Sequence, residues 1–126
     1  MKKVILVEDD SAIIDIYQTM LKAAHFDVEV LSLGQDVIKR MKAVESKEEA
    51  KPDIILLDLI LPDINGIEVL KVIKTNDATK DIKVFILTNQ EESGIQPLGD
   101  IKPDKFLIKA NITPTDLIGL IKKELS

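Results

Sequence analysis

The chain has 126 residues, 45% of them hydrophobic, with a net charge of −5. That is enough apolar material for one sizeable core and too little chain for a second domain beside it, so a single domain over 1–126 is expected. The acidic balance and the scattered lysines argue against direct nucleic-acid binding, because phosphate backbones are held by clustered Lys and Arg.

With no cysteine there is no disulfide framework, thiolate metal site or cysteine nucleophile. Met1-Lys2-Lys3 leads into four apolar residues before Glu8-Asp9-Asp10, too few for a signal peptide or a membrane span. A soluble, cytoplasmic protein with no membrane partner is the expectation.

Short β-branched or apolar runs at 4–7, 28–31, 54–57, 84–87 and 106–108 predict five strands. Between and after them, apolar residues recur at helical spacing: Ile13, Tyr17, Met20, Leu21 and Ala24; Val37, Ile38, Met41 and Val44; Ile67, Leu70 and Ile73; Leu117, Leu120, Ile121 and Leu125. His25, the sole histidine, follows the first of these stripes and is expected at the surface. Residues 47–52 predict a solvated loop. Residues 91–103 hold two Gly and two Pro, which predicts a short or irregular fourth helix. The last helix opens Thr113-Pro114-Thr115-Asp116, where Thr caps, Pro suits the first helical position and Asp supplies a capping acid.

Strand and helix alternating in this way predict an α/β fold: a doubly wound, five-stranded parallel sheet with helices on both faces. Parallel strands end on one sheet edge, and ligands of such folds bind outside those carboxyl ends. Strand one ends in Glu8-Asp9-Asp10, strand three in Asp58, strand four in Thr88 and strand five in Lys109. Close carboxylates repel by roughly 4 kcal/mol per pair at an effective dielectric near 20, which a divalent cation relieves. An all-oxygen set suits a hard ion, and Mg2+ with one or two carboxylates and a phosphate fits it best. Lys109 offsets part of the negative charge and can bind a phosphate, and Thr88 can donate its hydroxyl to the same group.

These residues, Val7-Glu8-Asp9-Asp10, Asp58-Leu59-Ile60-Leu61-Pro62 through Gly66, Leu87-Thr88 and Phe106-Leu107-Ile108-Lys109, resemble the receiver domain of two-component response regulators over essentially the whole chain. The resemblance implies strand order 2-1-3-4-5 and a phosphoacceptor, not a turnover enzyme. Asp58 would take a phosphoryl group from a histidine kinase or phosphotransfer protein. Asp9 and Asp58 would hold Mg2+ directly, Glu8 through water, and Ile60 through its backbone carbonyl. Thr88 and Lys109 would hold the phosphoryl oxygens, and Thr88 with Phe106 would form the switch. A downstream protein target and a phosphorylation-dependent homodimer are the implied partners.

Four features depart from the family pattern. Asn89 follows Thr88 where a small residue is usual, and Ala110 follows Lys109 where proline is usual. Ile60 cannot orient an attacking water, which predicts slow loss of the phosphoryl group. Residues 94–103, with apolar Ile95, Leu98 and Ile101, depart most. A receiver-like binding module that works without phosphorylation is therefore the alternative reading. An aspartyl phosphatase lacks its second acid at Ile60, and a flavin phosphate would be repelled by Glu8-Asp9-Asp10.

Overall fold

The computed structural model describes residues 1–90 and 101–126. Five strands, β1 (Lys3–Val7), β2 (Asp27–Leu31), β3 (Ile54–Leu57), β4 (Lys83–Thr88) and β5 (Lys105–Ile108), form one sheet in the order β2-β1-β3-β4-β5. Every pairing is parallel, with Val7 beside both Leu31 and Leu57, Leu57 beside Ile86, and Thr88 beside Ile108. The expected fold class and strand order are thus observed. Each predicted strand except β3 gains one residue or two at its ends, because polar residues such as Lys3, Asp27 and Lys83 pair in the ladder while keeping their charged tips in water.

Helices α1 (Ser11–Ala23), α2 (Gly34–Glu45), α3 (Gly66–Thr75) and α4 (Pro114–Leu125) cover the sheet. The period-2 alternation of each strand divides the core in two. Ile5, Val7, Ile55, Leu57, Val84 and Ile86 pack with Val37, Met41, Leu70 and Ile73 of α2 and α3. Val4, Leu6, Ile54, Leu56, Phe85 and Leu87 pack with Tyr17, Leu21, Leu117 and Ile121 of α1 and α4. Both faces of β1, β3 and β4 are therefore buried, which is why their sequences are continuous apolar runs.

Local chemistry sets the helix ends. Asp10 caps α1 by accepting from Ala12 N–H at 2.9 Å, Asn65 caps α3 through Ile67 N–H at 2.8 Å, and Thr113 caps α4 through Asp116 N–H at 3.1 Å. Helix α1 closes with His25 N–H bonded to the Lys22 carbonyl and Phe26 N–H to the Leu21 carbonyl, with His25 at φ 70°. Helix α2 closes in the same way, with Lys47 at φ 66°. Both are Schellman closures in which a non-glycine occupies the left-handed position. His25 is exposed, as expected, and that closure accounts for its place.

The loop expected at 47–52 is solvated at 47–51, whereas Pro52 is buried and Glu49 pairs with Arg40 at 3.0 Å. Arg40, the chain's one arginine, also pairs with Glu29 at 3.0 Å and donates to the Ala50 carbonyl at 2.8 Å. The irregular fourth helix expected within 91–103 lies mostly outside the described residues, as do Ile95 and Leu98. Ile101 is half-buried against the α2–α3 side of the core.

Candidate functional site

The topology brings the carboxyl ends of β1, β3, β4 and β5 to one edge, and the polar residues just beyond them share it. Asp58 leaves β3 with its N–H still bonded to the Val7 carbonyl at 3.2 Å, so it is the first residue of the loop while remaining 6% exposed. Glu8 directly follows β1 and is 2% exposed. Lys109 opens a 3-10 turn (Lys109–Asn111) after β5. Its ammonium donates to Glu8 Oε2 and, at 2.9 Å, to Asp58 Oδ2. One partly buried cation thus bridges two buried carboxylates.

The other Glu8 oxygen, Oε1, accepts from Asp9 N–H at 3.2 Å and Asp10 N–H at 3.1 Å, and Asp58 Oδ1 accepts from Ile60 N–H at 3.1 Å. These bonds fix both carboxylates without consuming all their lone pairs. Asp9 is exposed, and oxygens of Glu8, Asp9 and Asp58 lie within 4.8 Å of one another. Among the described residues this is the one such group of potential metal ligands. Asp10, in the same acidic run, turns away to cap α1.

Charge decides the character of the pocket. Three carboxylates face one ammonium, an excess of two negative charges that a hard divalent ion would neutralise, so the donor set fits Mg2+. Burial draws the Lys109 pKa down, but its hydrogen bonds to Glu8 and Asp58 outweigh that and hold the ammonium above its ordinary 10.5. Burial pushes the Glu8 carboxyl up from 4.5 against the pull of Lys109 and the Asp10 N–H. Lys109 faces two carboxylates and Glu8 only one ammonium, so the cation gains more from the contact than the acid does. Burial also raises the Tyr17 hydroxyl, which feels the charges of Lys109 and Glu8.

Thr88, the last residue of β4, is fully buried, and its Oγ1 accepts from Gln90 N–H at 3.3 Å. Asn89 is exposed. Ile60 is 60% exposed, an apolar side chain standing at the rim of the site. Phe106 pairs with Ile86 and packs half-buried on the α2–α3 side. Every residue singled out at the strand ends therefore lies at this edge, with Phe106 two positions inside β5.

Two residues, one in the β3–α3 loop and one opening α3, were assigned no role from the sequence. Gly66 approaches the acceptor backbone so closely that a Cβ there would lie 2.5 Å from the Asp58 carbonyl oxygen and 2.6 Å from Leu59 Cα. Asp63 reaches across to α2, accepting from Gly34 N–H at 2.8 Å and Gln35 N–H at 2.9 Å. Gly66 stood in the recognised motif, so its signal was present; Asp63 gave none, because its partners are 28 and 29 residues away.

The chain is similar to known proteins along its length. It is 30% identical over 122 residues to the alkaline phosphatase synthesis transcriptional regulatory protein PhoP of Bacillus subtilis, covering 96% of this chain and 47% of that protein. The chain thus spans about half the length of this curated relative. The phosphorylated cyanobacterial phytochrome response regulator RcpA has 30% identity and a TM-score of 0.80, covering 98% of this chain and 90% of that one. The Mn2+-bound form of response regulator Rcp1 has 29% identity and a TM-score of 0.80, covering 98% and 91%. No helix among the described residues is long and apolar enough to cross a membrane. The expectation that nucleic acid is no partner gains no support from a relative named as a transcriptional regulator. The model of the response regulator receiver domain matches residues 4–122, and the chain belongs to that family.

Proposed function

We propose that this chain is the phosphoacceptor domain of a two-component relay, with Asp58 as the acceptor. The observation that carries the reading is the Lys109 ammonium bridging buried Glu8 and Asp58 beside exposed Asp9. Structure used only for folding has little reason to gather three carboxylates at one sheet edge, since each buried charge costs several kcal/mol.

In the proposed step an Asp58 oxygen forms the new O–P bond as the P–N bond of a kinase phosphohistidine breaks, its electron pair returning to the imidazole. Asp9, Asp58 and the Ile60 carbonyl, with Glu8 through water, would hold Mg2+, which would neutralise charge on the transferring group. Lys109 exchanges part of its contact with Asp58 for a phosphoryl oxygen, and Thr88 donates its hydroxyl to another. Positioning and electrostatics supply the rate, with the chain acting as acceptor and not as a turnover enzyme. The Mn2+ in the metal-bound form of Rcp1 supports the choice of a divalent ion.

Phosphorylation adds about −1.5 to −2 charge units, drawing Thr88 toward the new acceptor and biasing the packing of Phe106. The remodelled surface would then bind a downstream protein. A histidine kinase or phosphotransfer protein is the proposed donor, and the cytoplasm the proposed location.

The test is intact mass after incubation with a small phosphodonor, with and without Mg2+, beside Asp58→Asn. A Mg2+-dependent gain of one phosphoryl group, absent from the variant, is expected. No uptake together with no Mg2+ binding would turn the assignment to a phosphorylation-independent binding module.

A further inference from the structure

Asp63, five residues after Asp58, is exposed, yet both of its oxygens are engaged by the first turn of α2, through Gly34 N–H at 2.8 Å and Gln35 N–H at 2.9 Å. Leu33, at the N-cap of α2, makes no side-chain cap. Asp63 therefore supplies from a different loop the acceptor that this helix start needs. The Gln35 and Gly34 hydrogen bonds hold its carboxyl below the ordinary 3.8. Contact between the segments is close, since a Cβ on Gly34 would overlap the Ile64 side chain and lie 3.1 Å from Val69 Cγ2.

The same loop is bound at its other end to the acceptor. Ile60 N–H donates to Asp58 Oδ1, and Gly66 N–H donates to the Leu59 carbonyl at 2.9 Å. Of these hydrogen bonds, those of Asp63 are the ones that tie the loop to α2, while that of Gly66 ties it to α3. Ile60 also pairs with Asn65 across the loop in an antiparallel bridge, so the loop moves as one piece and the Asp63 bonds set where that piece sits against α2.

We propose that Asp63 is a positioning residue for the Asp58 site: by tying the β3–α3 loop to α2, it holds the Ile60 backbone where it orients Asp58 and serves Mg2+. The inference rests on the functional reading above. Asp63 acts through Ile60 and touches neither the metal nor the phosphoryl group. If release of the anchor leaves the loop competent a fifth of the time, apparent Mg2+ affinity falls about fivefold.

The experiment compares wild type with Asp63→Ala, Asp63→Asn and Asp53→Ala by Mg2+ titration calorimetry, hydrogen exchange of the Ile60 amide, and phosphoryl uptake against Mg2+ concentration. Asp53 accepts from Lys3 N–H at 2.7 Å at the opposite end of β3, so its variant controls for lost stability alone. Asp63→Ala is expected to weaken Mg2+ about fivefold, to speed Ile60 exchange, and to recover uptake at saturating Mg2+. Asp63→Asn, which keeps one acceptor oxygen, should fall between, and Asp53→Ala should bind Mg2+ as wild type does. Wild type that binds Mg2+ beside an Asp63→Ala variant that binds it equally well overturns this inference alone. Wild type that binds no Mg2+ overturns the functional reading and this inference with it.

Discussion

Lys109 Nζ lies 2.9 Å from Asp58 Oδ2 although 51 residues separate them, and the same ammonium also serves Glu8. The Lys109 side chain is 10% exposed, so its charge is compensated by these carboxylates more than by water.

Lys109→Ala should leave two buried carboxylates without a cation. The expected loss is about 2 kcal/mol of stability at pH 7 without metal, together with loss of phosphoryl uptake. Urea unfolding checks this, and addition of Mg2+ should restore part of the loss. A variant as stable as wild type in metal-free buffer would show that the bridge contributes nothing net.

Glu8 gives a pH dependence of defined sign. Its folded pKa lies above the ordinary 4.5, so the folded protein holds that proton more tightly than the unfolded chain. The resulting stabilisation is complete below the unfolded value and is lost as pH rises through the folded value. Glu8→Gln, which cannot ionise, should melt above wild type at pH 7 without metal, and no higher at pH 4. Thermal melts at the two pH values decide it, and equal melting at pH 7 would sink the assignment.

Gly66→Ala should cost about 2–3 kcal/mol, because the new methyl meets the Asp58 carbonyl and Leu59 Cα, backbone atoms that cannot rotate away. Denaturant midpoints measure the loss, and chemical-shift changes at Asp58 should accompany it.

His25→Gly should stabilise the protein by about 1 kcal/mol, since glycine adopts the left-handed closure of α1 without Cβ strain. His25 is exposed, so little packing is lost in exchange. A lower urea midpoint for this variant would contradict the account.

Ile60 is expected to slow loss of the phosphoryl group, because its exposed apolar side chain offers no hydrogen bond to an attacking water. Ile60→Gln should shorten the lifetime of the phosphorylated form severalfold, read by intact mass against time after removal of the donor.

Residues close in sequence to their partners could be read directly. The Thr113 cap on Asp116 N–H spans three residues, and the apolar stripes of α1 to α4 are local periodicities, so helices and strands followed from the chain alone. The strand-end residues Glu8, Asp58, Thr88 and Lys109 were legible for a related reason: parallel pairing sends every strand's carboxyl end to one edge, so four local positions converge. Asp10 shows the limit of that logic. It sits in the acidic run, but its spacing from Ala12 and Ile13 makes it a cap, and backbone geometry turned it from the pocket.

Only the tertiary structure decided the rest. Arg40 between Glu29 and Glu49, Asp63 on Gly34 and Gln35, and Gly66 against Asp58 join segments from different elements. A carboxylate's sequence states what it can accept, while which N–H reaches it depends on how two helices and a loop settle on the sheet. That is why the amino-acid sequence by itself determined the sheet, its helices and the chemistry at its edge, while packing determined which contacts hold that chemistry in place.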